Sequence, residues 1–181
     1  MVREADPGEA AAIDLHVVTA EVARTPGRAP ALELHIGRHD GASHDFEVSR
    51  SVPAEPDLLA ELSMARAQGR ALRGADPAGV IGPVPHEWVA ERGRHWLTVW
   101  QGLTDDREHA VFMVVTACRM WRFAVEGVHC SKGEAAAWAL RREPSLDVVR
   151  QAVAGDEVDE RGLADLLALA LRETGVAGFR A

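Results

Sequence analysis

The chain has no tyrosine and only two cysteines, Cys118 and Cys130, among 181 residues. Two thiols make no disulfide framework, so a reducing cytoplasm is the expected setting. A run of basic residues is also missing: 28 acidic against 20 basic side chains leave a formal charge of -8. That balance argues against nucleic acid or an anionic membrane as the main partner. A free nucleotide or a cationic small molecule stays compatible with it. The start, MVREADPGEAAA, lacks the apolar core of a secretory signal. The most apolar stretch, AVFMVVTACRMWRFAV, is broken by Arg119 and Arg122 and reads as a buried helix, too short and too charged to span a bilayer. GxSxG, GxGxxG and Walker motifs are absent. No CxxC or HxxxH spacing supports zinc, and the adjacent His129 and Cys130 are poor joint ligands.

What is present divides into two patterns. Up to about residue 50 the signals are strands: AIDLHVV, a PGRAP turn segment, LELHIG, a glycine-rich turn HDGAS, and HDFEVS. Ile13, Leu15 and Val17 alternate with Asp14 and His16, and Leu32, Leu34 and Ile36 with Glu33 and His35. Three short strands with one apolar face need something to cover them. From Asp57 the pattern turns helical. Leu58, Leu59, Leu62, Ala65 and Leu72 predict one helix running toward Gly74, and HEWVAERGRHWLTVW a second with Trp88, Trp96 and Trp100 roughly on one face. A long apolar helix is expected from about Glu108 to Val125, stopped by Gly127. A capped helix, one opened by Pro144, and a last one carrying Leu163, Leu166, Leu167 and Leu171 follow. The expected fold class is therefore α+β: a small incomplete β-sheet in residues 1–52 followed by an all-helical bundle in 53–181.

Ser131-x-x-Glu134 reads as a capping box, which places Lys132 in the first turn of its helix. The helix dipole disfavours a cation there by up to about 1 kcal/mol. A solvated surface lysine is the bland explanation. The alternative is a phosphate seat, where exposed N–H groups, dipole and ammonium share an anion. Arg119 and Arg122 lie three apart on the long apolar helix, and a guanidinium in such a run needs a partner. Arg119 is one tight turn from Lys132, so either both cations face one mouth or Arg119 pairs with carbonyls, Glu126 or Glu134. Asp14, on a strand's polar face, suits a general base or an ordinary solvent-facing acid. His16 shares its face, which makes an Asp–His metal pair conceivable. Cys118 is most simply a packed thiol.

VVTACRMWRFAVEGVHCSKGEAAAWAL resembles the signature stretch of the C-terminal helical domain of aminoglycoside (streptomycin/spectinomycin) adenylyltransferases. PDLLAELSMARAQGRALRGADPAGVIGPVP is similar to the helix and linker joining that family's two domains. AIDLHVV and ALELHIGRHDG are similar to the last strands of its nucleotidyltransferase domain. The resemblance implies transfer of AMP from magnesium-ATP to a hydroxyl of a cationic, aminoglycoside-like molecule. Arg119 and Lys132 would hold the nucleotide phosphates, and Asp14 would stand as catalytic base in place of the family's glutamate, one methylene shorter. Glu33 and His39 would lie on the substrate side, His39 where the family carries a tryptophan, and Asp105 and Asp106 in the turn that contacts the cationic substrate. The family's Gly-Ser turn and Asp-x-Asp magnesium strand have no counterpart here, so metal ligands are expected to be missing. The resemblance thus implies a truncated transferase. A non-catalytic binding module, self-associating as a homodimer through the open sheet edge or pairing with a partner, is the alternative expectation.

Overall fold

The computed structural model describes residues 12–39 and 46–177, which fall into two compact units dividing between Val84 and Pro85. Among these residues the architecture is α+β, with three antiparallel strands preceding most of the helices.

In the first unit, β1 (Ala12–Val17), β2 (Leu32–His39) and β3 (Phe46–Val52) form a sheet in the order β1-β2-β3. Asp14 lies opposite Gly37, His16 opposite His35, and on the other side Glu47 opposite Gly37 and Ser49 opposite His35. Directly opposed residues share a face, so Asp14, His16, His35, Glu47 and Ser49 line one side. Leu15, Val17, Leu34, Ile36 and Val48 line the other. The glycine-rich turn expected at 40–43, and the first residues of HDFEVS, lie outside the described residues.

A short helix, α1 (Ala20–Arg24), follows β1 ahead of the expected PGRAP turn segment, where the sequence reading names no element; the Thr19 hydroxyl caps it by accepting from the Val22 N–H. The next helix, α2 (Leu58–Gln68), buries Leu58 and Leu62 against Leu32, with Val52 and Ile81 at the margin. It covers only part of the apolar face: Leu15, Val17 and Val48 stay about 40% exposed. The expected continuation of α2 to Leu72 does not occur. The Gly69 N–H closes the helix on the Ala65 carbonyl, and a side chain at Gly69 would collide with that oxygen, so the chain turns extended there and leaves Leu72 96% exposed. Arg66 donates to the carbonyls of Ala78 and Ile81, tying α2 to α3 (Pro77–Val80). The change of pattern near residue 52 thus precedes the division between the compact units, because α2 packs on Leu32 of β2 and α3 packs on α2.

The second unit is a bundle of α4 (His86–Trp100), α5 (Ala110–Glu126), α6 (Lys132–Arg142), α7 (Asp147–Ala154) and α8 (Glu160–Ala177). Helix α5 is central and packs on all four others. Its buried stripe, with Val114, Ala117, Cys118 and Trp121, meets Leu97 of α4 and Leu163, Leu166 and Leu167 of α8. Burial pushes the Cys118 thiol up to about 12, which makes it an inert packed group at neutral pH. Arg94 of α4 donates to the Leu171 carbonyl and the Thr174 hydroxyl, linking α4 to α8. On α4, the buried positions are Val89, Leu97 and Trp100, while Trp96 contacts Trp100 at 6.1 Å between ring centroids. Among the described residues no helix is long and apolar enough to cross a membrane.

Candidate functional site

Helix α5 ends as the sequence predicts. Gly127 adopts φ +68°, a left-handed conformation that suits glycine, and its N–H closes on the Phe123 carbonyl at 2.7 Å. Four residues later α6 begins with the full capping box. The Ser131 hydroxyl accepts from the Glu134 N–H at 3.2 Å, and the Glu134 carboxylate accepts from the Ser131 N–H at 2.9 Å. The Ser131 N–H, and then the Ser131 hydroxyl donating to the same carboxylate at 2.8 Å, hold the Glu134 carboxyl below its usual range. Ser131→Ala should cost about 1 kcal/mol of stability, measurable by urea unfolding. A loss well below that would mean the box does not set this helix start.

Lys132 is therefore the first residue of α6, at the positive end of its dipole. Its ammonium lies 4.8 Å from the centre of the Phe112 ring on α5. Partial desolvation, and then the neighbouring Arg119 guanidinium, pull its pKa down. His129 is lowered by the same two causes in the same order, burial first and Arg119 second. Arg119 thus lies near both His129 and Lys132 and opposes the charged form of each.

Arg122, three residues along, behaves differently. It donates to Glu126 at 3.1 Å, and the Trp138 indole donates to the same carboxylate at 2.5 Å. These bonds raise Arg122 and lower Glu126, the Trp138 bond being the larger cause for the acid. Of the two carboxylates expected as candidate partners of Arg119, Glu126 accepts from Arg122 and Trp138, and Glu134 from Ser131. Three apart on one helix, Arg122 pairs with Glu126 while Arg119 lies near His129 and Lys132.

On the sheet, Asp14 is 44% exposed, and its Oδ1 lies 3.2 Å from His35 Nε2, the imidazole donating to the carboxylate. The His35 ring stacks on His16 with centroids 4.8 Å apart and planes 12° apart. The histidine that meets Asp14 is therefore the one across the strand pair, while the one on its own strand braces that partner. A side chain at Gly37 would come within 3.2 Å of the same Asp14 oxygen, so the glycine keeps space beside the carboxylate. Glu33 is exposed on β2. His39 ends β2 opposite Ala12, and its side chain lies outside the described residues.

Asp105 and Asp106 separate as well. Asp106 caps the approach to α5, accepting from the His109 backbone at 3.2 Å and its ring at 2.9 Å, which lowers its pKa. Asp105 lines a cleft of about 460 Å³ with Thr104, Arg107, Glu157, Asp159 and Glu160. Arg107 pairs with Glu157 at 2.7 Å. The acids before α8 were not singled out from the sequence, since nothing local distinguishes them from a solvated helix start.

Against this geometry, residues 79–166 match the sequence profile described as "Aminoglycoside adenylyltransferase, C-terminal domain". A curated aminoglycoside (3'')(9) adenylyltransferase of Escherichia coli is 32% identical over 166 residues, covering 86% of this chain. The protein of the same name from Rhizobium radiobacter is 31% identical over 170 residues, covering 88%.

The chain carries the C-terminal domain of the aminoglycoside adenylyltransferase family.

It spans 62% of the length of these curated relatives. The expected resemblance is thereby shown, as is the α+β class. Among the described residues no group of three or more His, Cys, Asp or Glu side chains is placed to hold a metal ion.

Proposed function

We propose that this chain binds the polyphosphate of ATP at the turn between α5 and α6, as the nucleotide-holding part of an adenylyltransferase-type protein. The observation that carries the reading is the clustering of Arg119 and Lys132 near a helix N-terminus, with the Lys132 ammonium depressed by partial desolvation and by Arg119. A polyphosphate would relieve that repulsion and accept from the open N–H groups of the first turn. Asp14, oriented by His35, is the group to accept a proton from an acceptor hydroxyl. Asp105 and the acids of its cleft suit a cationic, aminoglycoside-like acceptor, with Glu33, His39 and Asp106 as further substrate-side residues.

Titration calorimetry with ATP, tripolyphosphate and adenosine tests this reading. Tripolyphosphate should bind within about tenfold of ATP and adenosine should not bind measurably, since each charge-assisted contact contributes about 1.5–3 kcal/mol. Lys132→Ala should weaken ATP by roughly tenfold or more with an unchanged thermal midpoint, because the side chain is exposed. Adenosine binding as well as ATP, or a lower midpoint with unaltered ATP affinity, would refute the phosphate seat. Pyrophosphate release on adding magnesium and an aminoglycoside separates a working transferase from a module that binds without turnover.

A further inference from the structure

Four residues of α5, Phe112, Thr116, Arg119 and Phe123, recur at intervals of four, three and four. At 3.6 residues per turn they form one stripe along the helix. Two contacts mark its ends. Lys132 stands over Phe112 at 4.8 Å, and the His129 ring packs on Phe123 with centroids 4.6 Å apart. Arg119 therefore lies between a lysine at one end and a histidine at the other. Thr116, on the same stripe, has a buried hydroxyl oxygen that makes no hydrogen bond. Thr116 stands one turn from Phe112 on one side and one turn from Arg119 on the other.

We propose that His129 is a third, proton-linked ligand of the polyphosphate held by Arg119 and Lys132. The inference rests on the phosphate reading above and extends it. A neutral imidazole is the favoured form beside Arg119 when no anion is present, since burial and the guanidinium both oppose its charge. A bound polyphosphate reverses the sign of the local field. His129 then takes a proton from solvent and donates to a phosphate oxygen, and Thr116 donates its hydroxyl to the same anion. No covalent bond is made or broken. Among the described residues, the charged or titratable groups placed near His129 are Arg119, which opposes its charge, Cys130 and Lys132 along the chain, and His86 of α4, which packs on the same Phe123 ring. His86 stacks on Phe123 at 5.0 Å, and its Nε2 donates to the Phe123 carbonyl at 2.9 Å. It is the other group able to take up a proton here, so it serves as the control.

The test is calorimetric titration of the whole chain with tripolyphosphate and with ATP at pH 7.5, in buffers of different protonation enthalpy. The slope of heat against that enthalpy counts protons. Subtracting the slope of His129→Gln removes any proton the ligand itself gains or loses. Wild type should take up about 0.5–1 proton more than His129→Gln. The variant's affinity should be several-fold weaker at pH 6.5 and nearly equal at pH 8.5, while His86→Gln keeps the wild-type slope. Thermal midpoints verify that each variant is folded. An equal slope in wild type and His129→Gln, or loss of the uptake in His86→Gln, overturns the assignment of His129 while leaving the phosphate seat intact. If wild type binds neither ligand at pH 6.5 or 8.5, both readings fall together.

Discussion

With Arg119 and Lys132 both replaced by alanine, affinity for ATP and tripolyphosphate should fall by about 100-fold or more. Each cation makes a charge-assisted contact that contributes about 1.5–3 kcal/mol, and about 1.4 kcal/mol is tenfold in affinity. The two side chains repel one another in the unliganded protein, since Arg119 lowers Lys132. Removing both therefore relieves an unfavourable interaction, and the thermal midpoint should hold steady or rise slightly. A single substitution also lifts some repulsion from the remaining cation, so the two losses should not simply add. Titration calorimetry and thermal unfolding on the same samples decide the matter. A double variant that binds ATP as wild type does would show that these cations serve only the fold or the surface. The contrast is Arg122→Ala, which strips Glu126 of its ion pair and should leave ATP affinity nearly unchanged.

Trp121→Ala should behave in the opposite way, costing about 3–5 kcal/mol of stability, the range for emptying a buried aromatic site. Trp121 is 1% exposed and meets Trp138 edge-on, with centroids 5.0 Å apart and planes at 81°. Alanine leaves a cavity where α5 packs on α6, and Trp138 loses its aromatic partner while keeping its bond to Glu126. The Trp121 indole N–H has no hydrogen-bond partner, so no bond is lost with it. That predicts a second result: Trp121→Phe should recover most of the lost stability, because phenylalanine refills the site without a buried unsatisfied donor. Urea unfolding followed by circular dichroism measures both. An alanine variant within about 1 kcal/mol of wild type would mean that the packing around Trp121 is loose.

The parts of this structure legible from the sequence are those fixed by neighbours in the chain. Ser131 and Glu134 are three apart, Gly127 follows the last apolar turn, and the alternation around Asp14 and Glu33 repeats every two residues. Local geometry is enough to read each of them. The same local reading overran the end of α2, because Leu72 fits the helical period while Gly69, which closes the helix on Ala65, interrupts no apolar position. It also missed α1, a five-residue helix too short to show a period.

The chemistry of the candidate sites belongs to longer distances. The histidine that meets Asp14 is His35, 21 residues away, because antiparallel register puts His16 opposite His35 and leaves Gly37 beside the acid. Arg119 and Arg122 look alike in the sequence; Arg122 finds Glu126 four residues along its own helix, while the packing of α6 on α5 brings Trp138 to that carboxylate and Lys132 near Arg119. Asp105 and Asp106 are likewise adjacent, yet one lines a cleft and the other bonds His109. By itself the sequence determined the three strands, the main helices of the bundle, the helix cap and the resemblance to the family. The folded chain decided which charges face one another, since Coulomb energies and hydrogen bonds depend on distances of a few ångströms that sequence separation does not encode.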